Sequence, residues 1–318
     1  GGEEQGLMGG LISAVWDVAG TDSAYTAAAR FAVVLAFAAT GEWVAERAGT
    51  LNISVEAMIL AGAFAAAMGY HTTGSVAVGL ACGTVAGAVV ASVQAEMSHR
   101  LTADQFVVGL TLNILVLGVV GFLGSVWEPS TRTASVIEIP LLADVPLVGP
   151  ALFGQPWPFY LIYLVVPLCA WLVHRTRWGL EVRSVGENPQ AADVSGIDVN
   201  RRRRQSIYLG GMTAGLGGGY LLLGQVGRFD PGIVAGRGFI ALVAVIFGGW
   251  TLRGAIFGCL LFGSVLSFRL TLPGLGYELN NEMLSSLPAL VTIVAMALFA
   301  HAVRQPEALA RPFIRGLK

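Results

Sequence analysis

The sequence predicts an all-α, polytopic membrane protein with about nine transmembrane helices, one of them short or broken. Hydrophobic residues make up 55% of the 318 residues and charged residues only 12%, whereas a soluble domain carries about 25% charged residues. The apolar residues are also collected in long runs, close to the roughly 17 to 25 residues with which a helix crosses a bilayer. We therefore expect residues 1–318 to form a single transmembrane domain.

Nine apolar runs reach or approach this length. The seventh is too short to cross the bilayer as a straight helix, so we expect it to be tilted, broken or re-entrant. The predicted spans are 26–45, 52–70, 74–97, 104–126, 157–174, 206–225, 237–250, 254–271 and 284–303.

Basic residues are concentrated in two of the polar segments. Segment 175–204 contains seven arginines, whereas segments 127–156 and 272–283 are mainly acidic. The residues after 303 contain three arginines and the lysine. Because basic loops stay on the cytoplasmic side, segment 175–204 (extending to 205 as the predicted coupling loop) and the C-terminus are predicted to be cytoplasmic. Nine spans then place the N-terminus outside, with residues 1–25 as an outer interfacial segment.

Several classes of protein are excluded by what the sequence lacks. The only lysine is Lys318, so the phosphate-binding motif G-x-x-x-x-G-K-[ST] cannot occur. The net charge of −1, with no basic stripe outside the loops, argues against nucleic-acid binding. The cysteines and histidines show no metal-ligand spacing, and no nucleophile–base pair is evident. We therefore predict a chain that is not an enzyme, without catalytic residues, metal or cofactor of its own.

Two glycine stripes predict close helix packing. Gly79, Gly83 and Gly87 recur at four-residue spacing in the third span, as do glycines 211, 215 and 219 in the sixth. Small residues on one helix face let two backbones approach closely inside a membrane. We expect both stripes to be packing seams rather than ligand sites.

A polar interruption between the first two spans is the first candidate site. Glu42 and Glu46 lie four residues apart with Arg47 beside them, so we expect structural ion pairs there. Asn52 and Glu56 follow, and a carboxylate within a span costs about 2.5–3.5 kcal/mol unless it is paired or hydrated. The segment is predicted to be either an ion-paired hinge or the polar lining of a translocation pathway.

Two further segments are candidates for that pathway. Asn113 lies within the fourth span, where an amide either joins neighbouring helices or lines a pathway, and Asp104 is expected to cap the start of that span. Residues 224–239 are glycine-rich and lead into the short seventh span through Arg237 and Phe239. Non-helical backbone is tolerated within a membrane only where it is buried or lines a cavity, which favours a pathway element over a plain outer loop.

A short helix is predicted within the cytoplasmic segment. Asn188 is placed to cap it, Pro189 suits its first position and Gly196 can end it. A solvated connector needs none of these features. We therefore expect the helix to dock on a partner.

Four blocks of the sequence match the pattern of a known family. They are Gly41-Glu-x-x-Ala-Glu-Arg-Ala-Gly-x-Leu-Asn-Ile-x-x-Glu-x-Met58-Ile-Leu-Ala-Gly-Ala-Phe64, Ala103-Asp-Gln-x-Val-Val-Gly-Leu-x-Leu-Asn113, Gly186-Glu-Asn-Pro-x-Ala-Ala-Asp-x-x-Gly196 and Gly236-Arg-Gly-Phe-Ile-Ala-Leu-x-Ala-Val-Ile-Phe-Gly248. These blocks resemble the permease subunits of bacterial ABC importers in the branched-chain amino acid and ribose superfamily, and within it the shorter permease of nucleoside uptake systems. Ser54 and Ala57 depart from the pattern, because the family often has glycine there.

The resemblance implies an assembly in a bacterial inner membrane. Its other members would be a longer permease, a cytoplasmic ATPase with two nucleotide-binding domains that binds ATP and magnesium, and an extracytoplasmic substrate-binding lipoprotein. Nucleosides are the substrate it implies. The residues expected to couple to the ATPase are Glu187, Asn188, Pro189, Ala192, Asp193 and Gly196.

Other functions are compatible with the same sequence. An importer of this class could carry simple sugars or branched-chain amino acids, although scarce charge within the spans favours an uncharged substrate. A stand-alone secondary transporter or channel would need ionisable residues at the bilayer midplane. Glu42, Glu46 and Glu56 are instead predicted to lie towards the cytoplasmic end of their spans.

Overall fold

The computed structural model describes residues 20–140, 142–272, 286, 290–291, 293–294 and 305–315. Helices account for most of them. Those in the first half are α1 Asp22–Arg47, α2 Val55–Thr73, α3 Val76–His99, α4 Gln105–Trp127 and α5 Val148–Phe153. Those in the second half are α6 Ile162–Arg175, α7 Arg177–Glu187, α8 Pro189–Val194, α9 Val199–Tyr220, α10 Arg237–Phe247 and α11 Leu252–Thr271.

Short elements complete the described chain. Strands β1 (Val136–Glu138) and β2 (Gly154–Pro156) pair antiparallel, with Ile137 opposite Gln155. A 3₁₀ turn, Trp157–Leu161, leads into α6, and a π-helical turn, Leu221–Val226, follows α9.

Among the described residues, five helices are long and apolar enough to cross a membrane, by length and composition: α1, α3, α4, the continuous helix Trp157–Arg175, and α11. Helix α10, at the position of the predicted seventh span, is shorter. The described residues therefore form a helical, multi-pass membrane protein. The predicted ninth span lies mostly outside the described residues, as do residues 1–19 of the predicted outer segment 1–25 and nearly all of 272–283, so nine spans remain a prediction.

Helix α9 begins earlier than the sequence pattern predicted. The Asp198 carboxylate accepts a hydrogen bond from the backbone N–H of Arg201 at 2.9 Å and caps the helix there. The four arginines that follow, 201–204, therefore lie in its first two turns rather than in a preceding loop. The helix begins at this side-chain cap, before the apolar run that starts at residue 206, because the cap satisfies an N–H group of the first turn.

The two glycine stripes meet at the centre of the fold. A Cβ atom on Gly87 would overlap the carbonyl oxygen of Gly211, and one on Gly215 would overlap that of Gly83. Helix α2 joins the same seam, since a Cβ on Gly62 would overlap the backbone of Gly215. Backbone-to-backbone packing of α2, α3 and α9 confirms the predicted seam.

Candidate functional site

The segment between α1 and α2, residues 48–54, is buried and tied to its surroundings by side chains of three helices. Thr50 and Leu51 connect the segment to α3 and α4. The Thr50 hydroxyl lies 3.0 Å from Nε2 of His99 in α3, and the Leu51 N–H donates to Oε1 of Gln105 in α4 at 2.9 Å. A further tie runs to α1, since the Asn52 N–H donates to Glu42 at 3.1 Å. His99 and Gln105 were not among the predicted site residues, although both are polar residues beside the ends of predicted spans.

Asn113 joins α4 to the start of α2. Its Oδ1 accepts a hydrogen bond from the Ala57 N–H, and its Nδ2 donates to the Ile53 carbonyl, both at 2.9 Å. The N–H of Ala57 is one of the first backbone donors of α2, which have no partner inside the helix. Asn113 thus acts as the helix-joining amide that the sequence allowed.

Glu56 connects the first turn of α2 to the start of α10. One carboxylate oxygen accepts from the Gly236 N–H at 2.7 Å and the other from the Gly238 N–H at 2.6 Å. These amides belong to the positive end of α10, where an anion is stabilised. An ideal Cβ on Gly238 would lie 2.5 Å from the Glu56 backbone nitrogen, so only glycine allows this approach.

A cavity of about 370 Å³ opens beside this junction. Its walls come from α2, α4 and the segment that leads into α10. Apart from Glu56 and Asn113 the lining side chains are apolar, and Phe239 contributes an exposed aromatic ring. The lining residues are Glu56, Ala57, Leu60, Asn113, Ile114, Leu117, Pro231, Gly232, Val234, Ala235, Gly236 and Phe239.

A second, more polar cavity of about 530 Å³ adjoins the first and shares Pro231 with it. It lies between the end of α4 and residues 227–231, with Glu128 and Arg228 among its lining residues. The two cavities therefore run in series along α4. The second cavity has more polar lining residues than the first, and each cavity has one aromatic lining residue, Phe239 in the first and Phe229 in the second.

Three of the five predicted pathway residues line the first cavity, namely Glu56, Asn113 and Phe239. Asn52 does not, because its side chain is fully buried and accepts a hydrogen bond from the Ser54 hydroxyl at 2.9 Å. Arg237 does not either, because its guanidinium turns back to donate to the carbonyls of Ile233 and Val234.

The predicted ion pairs of Glu42, Glu46 and Arg47 are wrong. No ion pair within 4.0 Å joins Arg47 to either glutamate among the described residues. Arg47 follows Glu46 by one residue and Glu42 by five, so it projects from another face of the helix. Both glutamates are fully buried, and neither oxygen of Glu46 has a hydrogen-bond donor among the described residues.

The short helix predicted to begin after Asn188 is confirmed as α8. The Asn188 side chain accepts from the Ala191 N–H at 3.0 Å, and Gly196 adopts φ of 86° after the helix ends. Pro189 and Ala192 are buried, whereas Glu187 is exposed. Asp193 pairs with Arg315 at 3.3 Å, a contact that was not predicted because the two residues lie 122 positions apart in the sequence.

The sequence matches a family model described as the permease component of a branched-chain amino acid transport system, over residues 24–299. No solved structure matches it. Within the described residues, no group of three or more His, Cys, Asp or Glu is placed to hold a metal ion.

Three curated proteins are similar over most of their length. The nucleoside ABC transporter permease protein NupC of Lactococcus lactis is 34% identical, over 87% of this chain and 92% of its own. The putative glucose ABC transporter permease protein TsgC13 of Haloferax volcanii is 32% identical, over 87% and 90%. The guanosine ABC transporter permease protein NupQ of Bacillus subtilis is 31% identical, over 90% and 94%.

Proposed function

The chain belongs to the family of permease components of branched-chain amino acid transport systems, and from this premise we propose that it carries nucleosides. It is a transport subunit of an ABC importer. This assignment replaces the alternative of a stand-alone secondary transporter or channel. The observation that carries the nucleoside proposal is the similarity to two permeases named for nucleoside and guanosine transport.

The chemistry of the first cavity supports an uncharged, aromatic substrate. The Glu56 carboxylate already accepts hydrogen bonds from two backbone amides, so the positive end of α10 is not free for a substrate carboxylate. The exposed ring of Phe239 and the apolar wall provide a surface on which a nucleobase stacks. A free amino acid would bring a carboxylate and an ammonium group into a cavity whose described lining residues include Glu56 but no basic residue to pair with the carboxylate.

The proposed pathway runs from the polar cavity at Glu128 and Arg228 to the cavity at Glu56, Asn113 and Phe239. The ATPase would push on α8 through Glu187, Asn188, Pro189, Ala192, Asp193 and Gly196, and so bias the spans between outward-facing and inward-facing states. ATP and magnesium would bind to that ATPase and not to this chain, which spans the membrane as one permease domain.

The proposed assembly has further members. A second, longer permease would complete the pathway as a heterodimer, and an extracytoplasmic lipoprotein would deliver the substrate. We place the complex in a bacterial inner membrane, with nine spans, the N-terminus outside and the C-terminus in the cytoplasm. The arginine content of segment 175–204 supports this orientation.

A sugar is the second candidate substrate, because a similar permease is named for glucose transport. Uptake of radiolabelled nucleoside in cells with and without this gene separates the two. We expect uptake to require the gene and to be competed by unlabelled nucleosides, but not by glucose or branched-chain amino acids. If the gene is required for uptake of glucose but not of nucleoside, the nucleoside proposal is wrong, and the assignment as an ABC importer subunit stands.

A pair of phenylalanine variants tests the cavity itself. Stacking of a base on an aromatic ring contributes about 1–3 kcal/mol, so Phe239→Ala should reduce uptake at limiting nucleoside roughly tenfold. Phe257→Ala is the matched control, since Phe257 is an exposed phenylalanine of α11 that does not line the cavity. Equal uptake by the two variants would contradict a pathway through this cavity.

A further inference from the structure

The C-terminal segment 305–315 folds back onto the region that contains α8. The Ala308 N–H donates to the Gly186 carbonyl at 3.0 Å, just before α8 begins. Two residues later, the Ala310 N–H donates to the Gly49 carbonyl at 3.1 Å, within the segment that joins α1 and α2. The C-terminal segment therefore contacts both the predicted coupling region and the buried segment that precedes Glu56.

Arg203 fixes the C-terminal segment in place. Its side chain is fully buried, yet none of the ion pairs among the described residues involves it. The guanidinium nitrogens donate instead to the carbonyls of Ala48 at 3.2 Å, Arg311 at 2.7 Å and Ala308 at 3.3 Å. A buried charge is costly unless its donors are used, and here the main chain of the C-terminal segment supplies two of the three acceptors.

The far end of the segment lies against α8 itself. Phe313 packs on the small apolar cluster of Val185, Ala192 and Val199, and Arg315 pairs with Asp193 at 3.3 Å. Two apolar side chains, each next to a member of that ion pair, remain exposed. Val194 of α8 is 90% exposed, and Ile314 of the C-terminal segment is 44% exposed.

We propose that α8 and residues 313–315 form one continuous docking surface for the cytoplasmic ATPase, with Arg203 as its positioning residue. This inference rests on the proposed function. A specific interface buries about 800 Å² on each partner, more than the exposed side of a six-residue helix supplies. Val194 and Ile314 are the apolar anchors, and each is adjacent in sequence to one member of the Asp193–Arg315 pair, which joins the two segments.

The test uses the whole transporter with its ATPase. Val194→Asp and Ile314→Asp place a charge at each anchor, and each should reduce ATPase co-purification and transport at least about tenfold. Leu101→Asp is the matched control, because Leu101 is 68% exposed in the turn between α3 and α4 and makes none of these contacts. It should retain both properties.

The outcomes separate the two proposals. If Val194→Asp releases the ATPase and Ile314→Asp does not, the composite surface is overturned while the coupling role of α8 stands. If neither variant releases it, the coupling role fails as well. If Ile314→Asp changes only the self-association of the purified permease, the surface is an interface between copies and the proposal is overturned.

A second measurement tests the role of Arg203 without depending on activity. Arg203→Lys keeps the charge but cannot reach three carbonyls at once. Amide hydrogen exchange at Ala308 and Ala310 should accelerate by about tenfold, with no change in the glycine seam of α3 and α9. Unchanged exchange at these two amides would show that Arg203 does not position the segment.

Discussion

Glu56 and Glu46 are buried carboxylates on either side of the same interhelical segment, yet their surroundings differ. Glu56 lies in the first turn of α2 and faces the start of α10, so both of its oxygens meet backbone donors. Glu46 lies in the last turn of α1, where the helix N–H groups already have partners, and neither of its oxygens is hydrogen-bonded to a donor within the described part of the chain. Burial alone therefore does not define a site: the position of the carboxylate along its helix decides whether the backbone can stabilise it.

The largest effect is expected from Glu56→Ala. The substitution leaves the N–H groups of Gly236 and Gly238 without acceptors and should cost about 2–4 kcal/mol of stability. The melting temperature of the purified protein should fall and transport should be lost. A variant with the melting temperature of the wild type would show that water replaces the carboxylate as hydrogen-bond acceptor. The position of Glu56 facing the start of α10 would then not stabilise the fold, and the contrast with Glu46 would be wrong.

Asn113→Ala should have a smaller effect of the same sign. The substitution leaves the Ala57 N–H and the Ile53 carbonyl without hydrogen-bond partners, which should lower the free energy of unfolding by about 1–3 kcal/mol. The cost is smaller than for Glu56→Ala because the lost hydrogen bonds join neutral groups. Thr111→Ala is the control on the same helix, because the Thr111 hydroxyl only bonds the Val107 carbonyl of its own helix. Equal melting temperatures for the two variants would show that the Asn113 side chain does not stabilise the contact between α2 and α4.

Glu46→Gln should have the smallest effect and the opposite sign. Glutamine has nearly the same shape as glutamate and cannot carry the negative charge that burial disfavours, so the melting temperature should stay level or rise. Glu42→Gln is the comparison, since Glu42 accepts the Asn52 N–H and glutamine retains an acceptor. A fall as large as that of Glu56→Ala would mean that Glu46 binds a donor or cation in the folded protein.

Features that depend on neighbours within a few residues were predictable. The caps at Asp104 and Asn188 are bonds to backbone amides two or three residues ahead, and the sequence places both partners together whatever the rest of the chain does. The glycine stripes were predictable for a related reason, because a four-residue period puts small side chains on one face of any helix.

By itself, the sequence determined a multi-pass helical permease, the short helix after Asn188 and the packing seams. Only the tertiary structure decided that Glu56 meets the start of α10, 180 residues away. It also decided that, among the described residues, Arg47 forms no ion pair with Glu42 or Glu46, and that Arg203 donates hydrogen bonds to the carbonyls of Ala308 and Arg311. The physical reason is the distance along the chain between the residues that specify each feature. A cap or a stripe is specified by local helix geometry, whereas a buried polar contact depends on which distant donor the packed helices bring within reach.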